Sequence, residues 1–441
     1  MGTYVPNTPE EQQEMLQSCG FHSFDELYAC IPEKLKLKTL PDLPSGASEF
    51  EVRQRVFSLA AKNHVYRTVL RGAGAYRHYI PAIVSEVTGK EEFRTAYTPY
   101  QAEISQGVLQ SIFEYQTEIA ELTGLPVSNA GVYDGATAAA EACEMCRDRK
   151  RSRILLSSCA DPKIISVIRT YSFGRNVTVE LVPEKDGVTD PEALQKLLSE
   201  DVSCFLLQQP NFYGCIEDAD ALSGLVHGAG AKFIMSCNPI SLGILKTPGE
   251  FGADIAVGEG QPLGLPLSFG GPYLGFMAAD EKMMRKLPGR IVGETTDRND
   301  KRCFVLTLQA REQHIRREKA GSNICSNEAL CALTAAVYLA ALGPAGLQNV
   351  ALSCRAKAHF LRDQLILAGL LPVFDRPFFH EFVTDAGSEE AAAEILRRLD
   401  GEDILGGLPL GQGRILWCAT EVVSREEIEK TAAVVKEVLS K

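Results

Sequence analysis

Residues 97–142 read YTPYQAEISQGVLQSIFEYQTEIAELTGLPVSNAGVYDGATAAAEA. The stretch opens on an aromatic, turn-prone loop, Tyr97-Thr98-Pro99-Tyr100-Gln101. A helix is expected next. Ser105 is its expected N-cap, because a serine oxygen accepts from the unpaired first-turn amides. Val108, Ile112, Tyr115, Ile119 and Leu122 fall on one face at a period of 3.6. Gly124 is placed to end the helix in a left-handed conformation. Residues 129–137 then lead through Asp134-Gly135 into a second, Ala-rich helix. A glycine-bearing turn at a helix N-terminus gathers free N–H groups and the positive end of the helix dipole, which makes an anion site. An ordinary capped turn within a helix hairpin satisfies the same spacing.

Beyond residue 150, strands alternate with helices. Residues 153–157, 178–182, 204–208, 232–235 and 254–257 are short apolar runs, with a later one at 273–277. Helical segments at 162–171, 191–199 and 218–227 lie between several of them. The alternation predicts an α/β fold with a large, mainly parallel sheet covered on both faces. Ligands of such sheets sit beyond the carboxyl ends of the strands. Loops 209–214 and 236–239 therefore border the expected cleft. An Ala-rich helix over 327–342 leads into a small C-terminal α/β domain. That domain reads strand–helix–strand–helix at 378–384, 388–399, 414–418 and 424–439.

Ahead of the sheet, Thr8 with Glu11, Ser23 with Glu26 and Ser48 with Glu51 match the capping-box pattern. The expected organisation is a helical arm at 1–65, a large α/β domain at 66–330, and a linking helix with the small domain at 331–441. Gly72-Ala-Gly-Ala-Tyr76 lacks the third glycine of a dinucleotide loop, since Arg77 stands there, and it reads as a flexible surface turn.

Composition narrows the function. Apolar residues make up 45% and charged residues 23%, which is globular. A net charge of −12 argues against nucleic acid and anionic membranes as partners. The 13 cysteines are odd in number and dispersed, which argues for a reducing compartment rather than a disulfide framework. Cys143 and Cys146 form a lone CxxC within a helix and read as packing. The seven histidines form no HExxH motif, so no metal site is expected. The start of the chain has no basic region before an apolar core, and no apolar run reaches the roughly 18 residues of a membrane span. A cytoplasmic location is expected.

The quoted stretch also resembles the glycine cleavage P-protein family, in its N-terminal half, which forms a separate subunit in many bacteria. The likeness runs from end to end. It implies a fold-type-I pyridoxal-phosphate transferase fold. It implies a complex that decarboxylates glycine and passes the aminomethyl group to the lipoyl arm of H-protein. It further implies a catalytic subunit 2 that carries pyridoxal 5'-phosphate, in a hetero-oligomer that is a dimer of heterodimers.

Pyridoxal-phosphate chemistry needs a Schiff-base lysine, an acid at the pyridine nitrogen and a phosphate cup. By resemblance the lysine belongs in 254–264, where Gln261 and Pro262 stand in place of His and Lys. The acid belongs in 235–239, which offers Asn238 and no carboxylate. Asp134, ahead of Gly135, would satisfy the helix amides itself and repel a phosphate. No Schiff-base lysine, and no covalently held cofactor, is expected in this chain.

Enzymes of this fold build each site at a subunit boundary, so the resemblance implies that the chain completes its partner's site. Tyr97, Thr98, Pro99, Tyr100, Gln101, Glu103 and Gln106 are the expected wall or interface. Lys319, Ser322 and Asn323 join them from a family-like run in which Gly321 replaces a usual Thr. Plain loop packing accounts for the same residues. Two rival readings are a self-sufficient enzyme using Lys246 or Lys319, and a non-catalytic scaffold.

Overall fold

The computed structural model describes residues 6–39, 41–94, 98–325 and 327–440. They fall into two compact units, Met1–Val65 and Tyr66–Lys441. In the first, helices Pro9–Ser18 and Glu49–Ala60 open with complete capping boxes at Thr8 and Ser48. The expected box at Ser23 does not form. Its helix is only Phe24–Leu27, and Glu26 instead accepts from the His22 amide at 2.9 Å.

The second unit is built on a seven-stranded sheet. Its strands are β1 (Val127–Ser128), β2 (Arg153–Ser157), β3 (Val179–Val182), β4 (Val202–Gln209), β5 (Lys232–Cys237), β6 (Ile255–Glu259) and β7 (Gly275–Ala279). The order is β1-β7-β6-β5-β4-β2-β3. From β3 to β6 every pairing is parallel, and β7 runs antiparallel between β6 and β1. Alternate residues of the central strands enter different cores, as period-2 geometry requires. Phe205, Leu207, Phe233 and Met235 pack on one face, and Cys204, Leu206 and Ile234 on the other.

Helix α1 (Gln106–Thr123) buries Leu109, Ile112, Tyr115, Gln116, Ile119 and Thr123. Val108 and Leu122, expected on this stripe, are only half-buried. Gly124 ends the helix with φ 69°. Ser105 holds the N-cap position, but its side chain makes no capping bond; the Gln106 side-chain Nε2 donates back to the Ala102 carbonyl at 2.8 Å. Helix α2 (Gly135–Cys146) presses Ala138, Ala139, Ala140 and Ala142 into the core. Cys143 and Cys146 lie buried in the same layer, and all 13 cysteines are free thiols. Helix α3 (Pro162–Phe173) starts from an Asp161 cap.

The Ala-rich helix is longer than expected. As α4 it runs Ala329–Leu367, broken at Gly343, whose φ of 61° turns the chain just before Pro344. The expected end at Leu342 is that break. By length and composition α4 is apolar enough to cross a membrane, yet Cys331, Ala332, Ala335, Tyr338 and Ala351 lie in the core beside the sheet. The C-terminal sheet has strands β8 (Leu371–Pro372), β9 (Glu381–Asp385), β10 (Leu408–Gly411) and β11 (Arg414–Cys418), all antiparallel in the order β8-β9-β11-β10. Helices α5 (Glu389–Gly401) and α6 (Arg425–Leu439) cover it. Strands β8 and β10 were not legible in the sequence. The fully buried Trp417 donates to Thr384 Oγ1 at 2.8 Å.

Candidate functional site

The strand ends of β5 and β6 face the N-terminus of α2 across a cavity of about 280 Å³. Asp134, Lys163, Asn238, Glu259, Pro262 and Tyr273 are among its walls. Asp134 caps α2, its Oδ1 accepting from the Thr137 amide at 2.7 Å. Glu259, the last residue of β6, supplies a second carboxylate. Its Oε2 accepts from the Gly135 amide at 2.9 Å, and its Oε1 from the amides of Gln261 at 3.0 Å and Leu274 at 3.2 Å. Only glycine fits at 135, where a Cβ would lie 2.7 Å from the Glu259 nitrogen. Burial pushes the Glu259 carboxyl up to about 7, and the nearby Asp134 adds to the rise. The donors of this helix start are therefore consumed by the chain's own carboxylates.

Gln261 is a staple rather than a reactive group. Its Oε1 accepts from the Tyr76 amide at 2.8 Å, and its Nε2 donates to the carbonyls of Tyr76 and Leu265 at 2.9 and 2.8 Å. The 72–76 segment is thus not the flexible surface turn expected from its sequence. Tyr76 is buried, and its hydroxyl donates to Glu381 Oε2 at 2.8 Å, while Glu381 Oε1 accepts from the Ala73 amide at 2.7 Å. Burial raises Glu381 to about 7. Asn238 accepts from the Ile240 amide at 2.9 Å and brings no charge to the cavity.

Of the lysines, Lys246 pairs with Asp220 at 3.0 Å on the surface, and Lys319 lies in a separate cleft. Lys163, at the start of α3, is the lysine that lines the cavity, with its Nζ 3.4 Å from the Ala73 carbonyl. The sequence reading passed over Lys163, Glu259 and Glu381. The βα alternation was the available signal for Glu259, since it ends a strand that points at the α2 turn.

The expected interface loop divides in two. Tyr97 lies outside the described residues. Pro99 is buried, Thr98 half-buried, and Tyr100, Gln101 and Glu103 are exposed. The Tyr100 hydroxyl accepts from Arg290 Nη2 at 2.5 Å. Gln106 is tied inward, its Oε1 accepting from the Phe304 amide and its Nε2 donating to the Phe304 carbonyl, both at 2.9 Å. Arg290, fully buried and paired with Glu312 at 2.6 Å, also reaches Cys325 Sγ at 3.5 Å. It links the Tyr100 loop to the segment that carries Lys319, Ser322 and Asn323. Ser322 Oγ accepts from the Ile324 amide at 3.0 Å; Asn323 and Lys319 are exposed.

Among the described residues, two groups bring ligand-type atoms within 4.8 Å of one another: His78, Cys354 and Glu421, and Glu312, His314 and Cys325. In each the carboxylate is already engaged, Glu421 by His78 at 2.7 Å and Glu312 by Arg290.

This sheet order, the long linking helix and the small antiparallel domain define the fold-type-I pyridoxal-phosphate transferase class. A NifS-like protein has the same fold, with a TM-score of 0.63 at 13% identity over 85% of this chain and 99% of that one. The glycine cleavage system P-protein profile matches residues 2–435, and the chain belongs to that family. A Moorella thermoacetica relative, "Probable glycine dehydrogenase (decarboxylating) subunit 1", is 51% identical over 99% of this chain and the whole of its own length. A crystal structure of glycine decarboxylase (P-protein) of the glycine cleavage system, in inhibitor-bound form, superposes with a TM-score of 0.93 at 43% identity, covering 99% of this chain and 100% of that one.

The residues of the cup do not fit the cofactor of this class. A phosphate would meet Glu259 and Asp134 where it needs free amides, no lysine follows β6 at 261–262, and Asn238 offers the pyridine nitrogen no carboxylate.

Proposed function

We propose that this chain is the non-lysine subunit of a two-subunit glycine decarboxylase. The observation that carries the reading is the Glu259 carboxylate seated on the Gly135 amide, in the place where a phosphate would have to bind. Pyridoxal 5'-phosphate then resides on subunit 2, where it supplies an electron sink for the carbon that loses carbon dioxide. This chain forms one wall of that site from the loop around Tyr100, with Lys319, Ser322 and Asn323 at the same boundary. The aminomethyl group passes to lipoylated H-protein, and the assembly is a cytoplasmic dimer of heterodimers. The "subunit 1" in the relative's name supports a second subunit. Its test is reconstitution. Glycine decarboxylation is assayed with this chain, with subunit 2 and with their mixture, and gel filtration reports assembly. Activity confined to the mixture is expected. Full activity of this chain alone would overturn the proposal.

A further inference from the structure

A second cavity, of about 290 Å³, lies between the C-terminal end of α2 and residues 311–324. Both cavities lie along α2: Gly135 and Ala136 line the cup, and Glu141, Glu144 and Met145 line this cleft. We propose that this cleft is a binding site for a phosphate-class dianion, either inorganic phosphate or a phosphate monoester.

The central group is Arg311. Its Nε donates to the Leu308 carbonyl at 3.0 Å and its Nη2 to the Gly289 carbonyl at 2.9 Å, so the guanidinium is held rigidly. Its Nη1 is buried with no partner among the described residues. Arg147, which lines the cleft from the α2 side, leaves its Nε in the same state. A buried N–H without an acceptor is destabilising, so two of them at one cavity call for an acceptor.

Charge points the same way. Arg285, Arg316 and Lys319 also line the cleft, and none forms an ion pair among the described residues. The acidic walls are already answered. Glu144 pairs with Arg147 at 2.6 Å and also with Arg175, and Glu312 pairs through Oε1 with Arg290 at 2.6 Å, while its Oε2, which has no hydrogen-bond partner among the described residues, lies 3.1 Å from His314 Nδ1. Burial raises Glu141 to about 7, so near neutral pH much of it is protonated and can donate. The unmatched charge is positive, and guanidinium groups suit phosphate oxygens in shape and charge. The cavity is at the lower limit for small-molecule sites, and a net charge of −12 disfavours a nucleic-acid chain.

The test is a calorimetric titration of the full chain with inorganic phosphate, alone and assembled with subunit 2, in chloride of matched ionic strength. One saturable site per chain is expected in both forms. Arg311→Gln should weaken it by about tenfold or more. Because that change also removes two internal hydrogen bonds, the surface double variant Arg316→Gln/Lys319→Gln is measured beside it, with a similar loss expected. Absence of saturable uptake, or uptake unchanged in the double variant, would overturn the proposal. Uptake by the lone chain that disappears on assembly would also overturn it, since an acidic group of the partner would then be the occupant.

Discussion

The hydroxyl of Tyr100 accepts a hydrogen bond from Arg290 Nη2 at 2.5 Å while its ring lies 4.5 Å from the same guanidinium. An exposed aromatic is thus fixed by a cation that is itself 1% exposed and paired with Glu312. The loop is presented outward on a rigid mount, as a wall for a neighbouring site would be. Tyr100→Ala should leave assembly with subunit 2 intact and lower turnover of the assembled complex by at least about tenfold, roughly 1.4 kcal/mol of transition-state stabilisation. Gel filtration and the decarboxylation rate check this. A lowered thermal midpoint with wild-type turnover would leave the loop as packing.

Gln106 stands five residues from Gln101 in the same motif, yet its side chain is spent on the Phe304 backbone. Gln106→Ala removes the side-chain partners of both the N–H and the carbonyl of Phe304. It should cost this chain about 2 kcal/mol of stability, measured by urea unfolding. A change below about 0.5 kcal/mol would mean that water replaces the amide without loss.

Glu259→Ala strips the acceptor from three backbone amides in the cup. Destabilisation of about 3 kcal/mol is expected, with a smaller loss for Glu259→Gln, which keeps one acceptor oxygen. Equal stability of all three proteins, again from urea unfolding, would show that the carboxylate is not what closes the cup.

Buried Glu381 titrates near 7 in the folded chain against an ordinary value of 4.5. Between those values the folded state retains a proton that the unfolded state has released. Its contribution to stability is therefore complete below 4.5 and is lost as pH rises to 7. Glu381→Gln keeps an acceptor for Ala73 and a donor toward Tyr76 without titrating. The thermal midpoint of the wild type should fall more steeply across this window than that of the variant. Parallel curves would place the proton elsewhere.

Much of the fold was legible because its signals are local. The βα alternation, the capping boxes at Thr8 and Ser48 and the left-handed Gly124 depend on residues close in sequence. The misread features are set by distant contacts. The 72–76 segment carries the composition of a surface turn, and distant residues bury it, among them Gln261, 185 residues from Tyr76, and Glu381, 308 residues from Ala73. Ser105 was expected to cap α1, but the chain reaches that point with φ −116° and ψ 18°, and the hydroxyl does not face the amides. In the cup, Asp134 was readable as a cap. Glu259 was not, because its partners Gly135 and Leu274 come from two other elements. Arg290 was invisible for the same reason: its acceptors Tyr100 and Glu312 are 190 and 22 residues away.

The central claim is that the cofactor-bearing lysine lies outside this chain. Borohydride reduction of the active mixture of this chain with subunit 2, followed by peptide mass spectrometry, tests it most directly. The account predicts a phosphopyridoxyl adduct on one lysine of subunit 2 and none on this chain. A stoichiometric adduct on Lys163, Lys246 or Lys319 would contradict it.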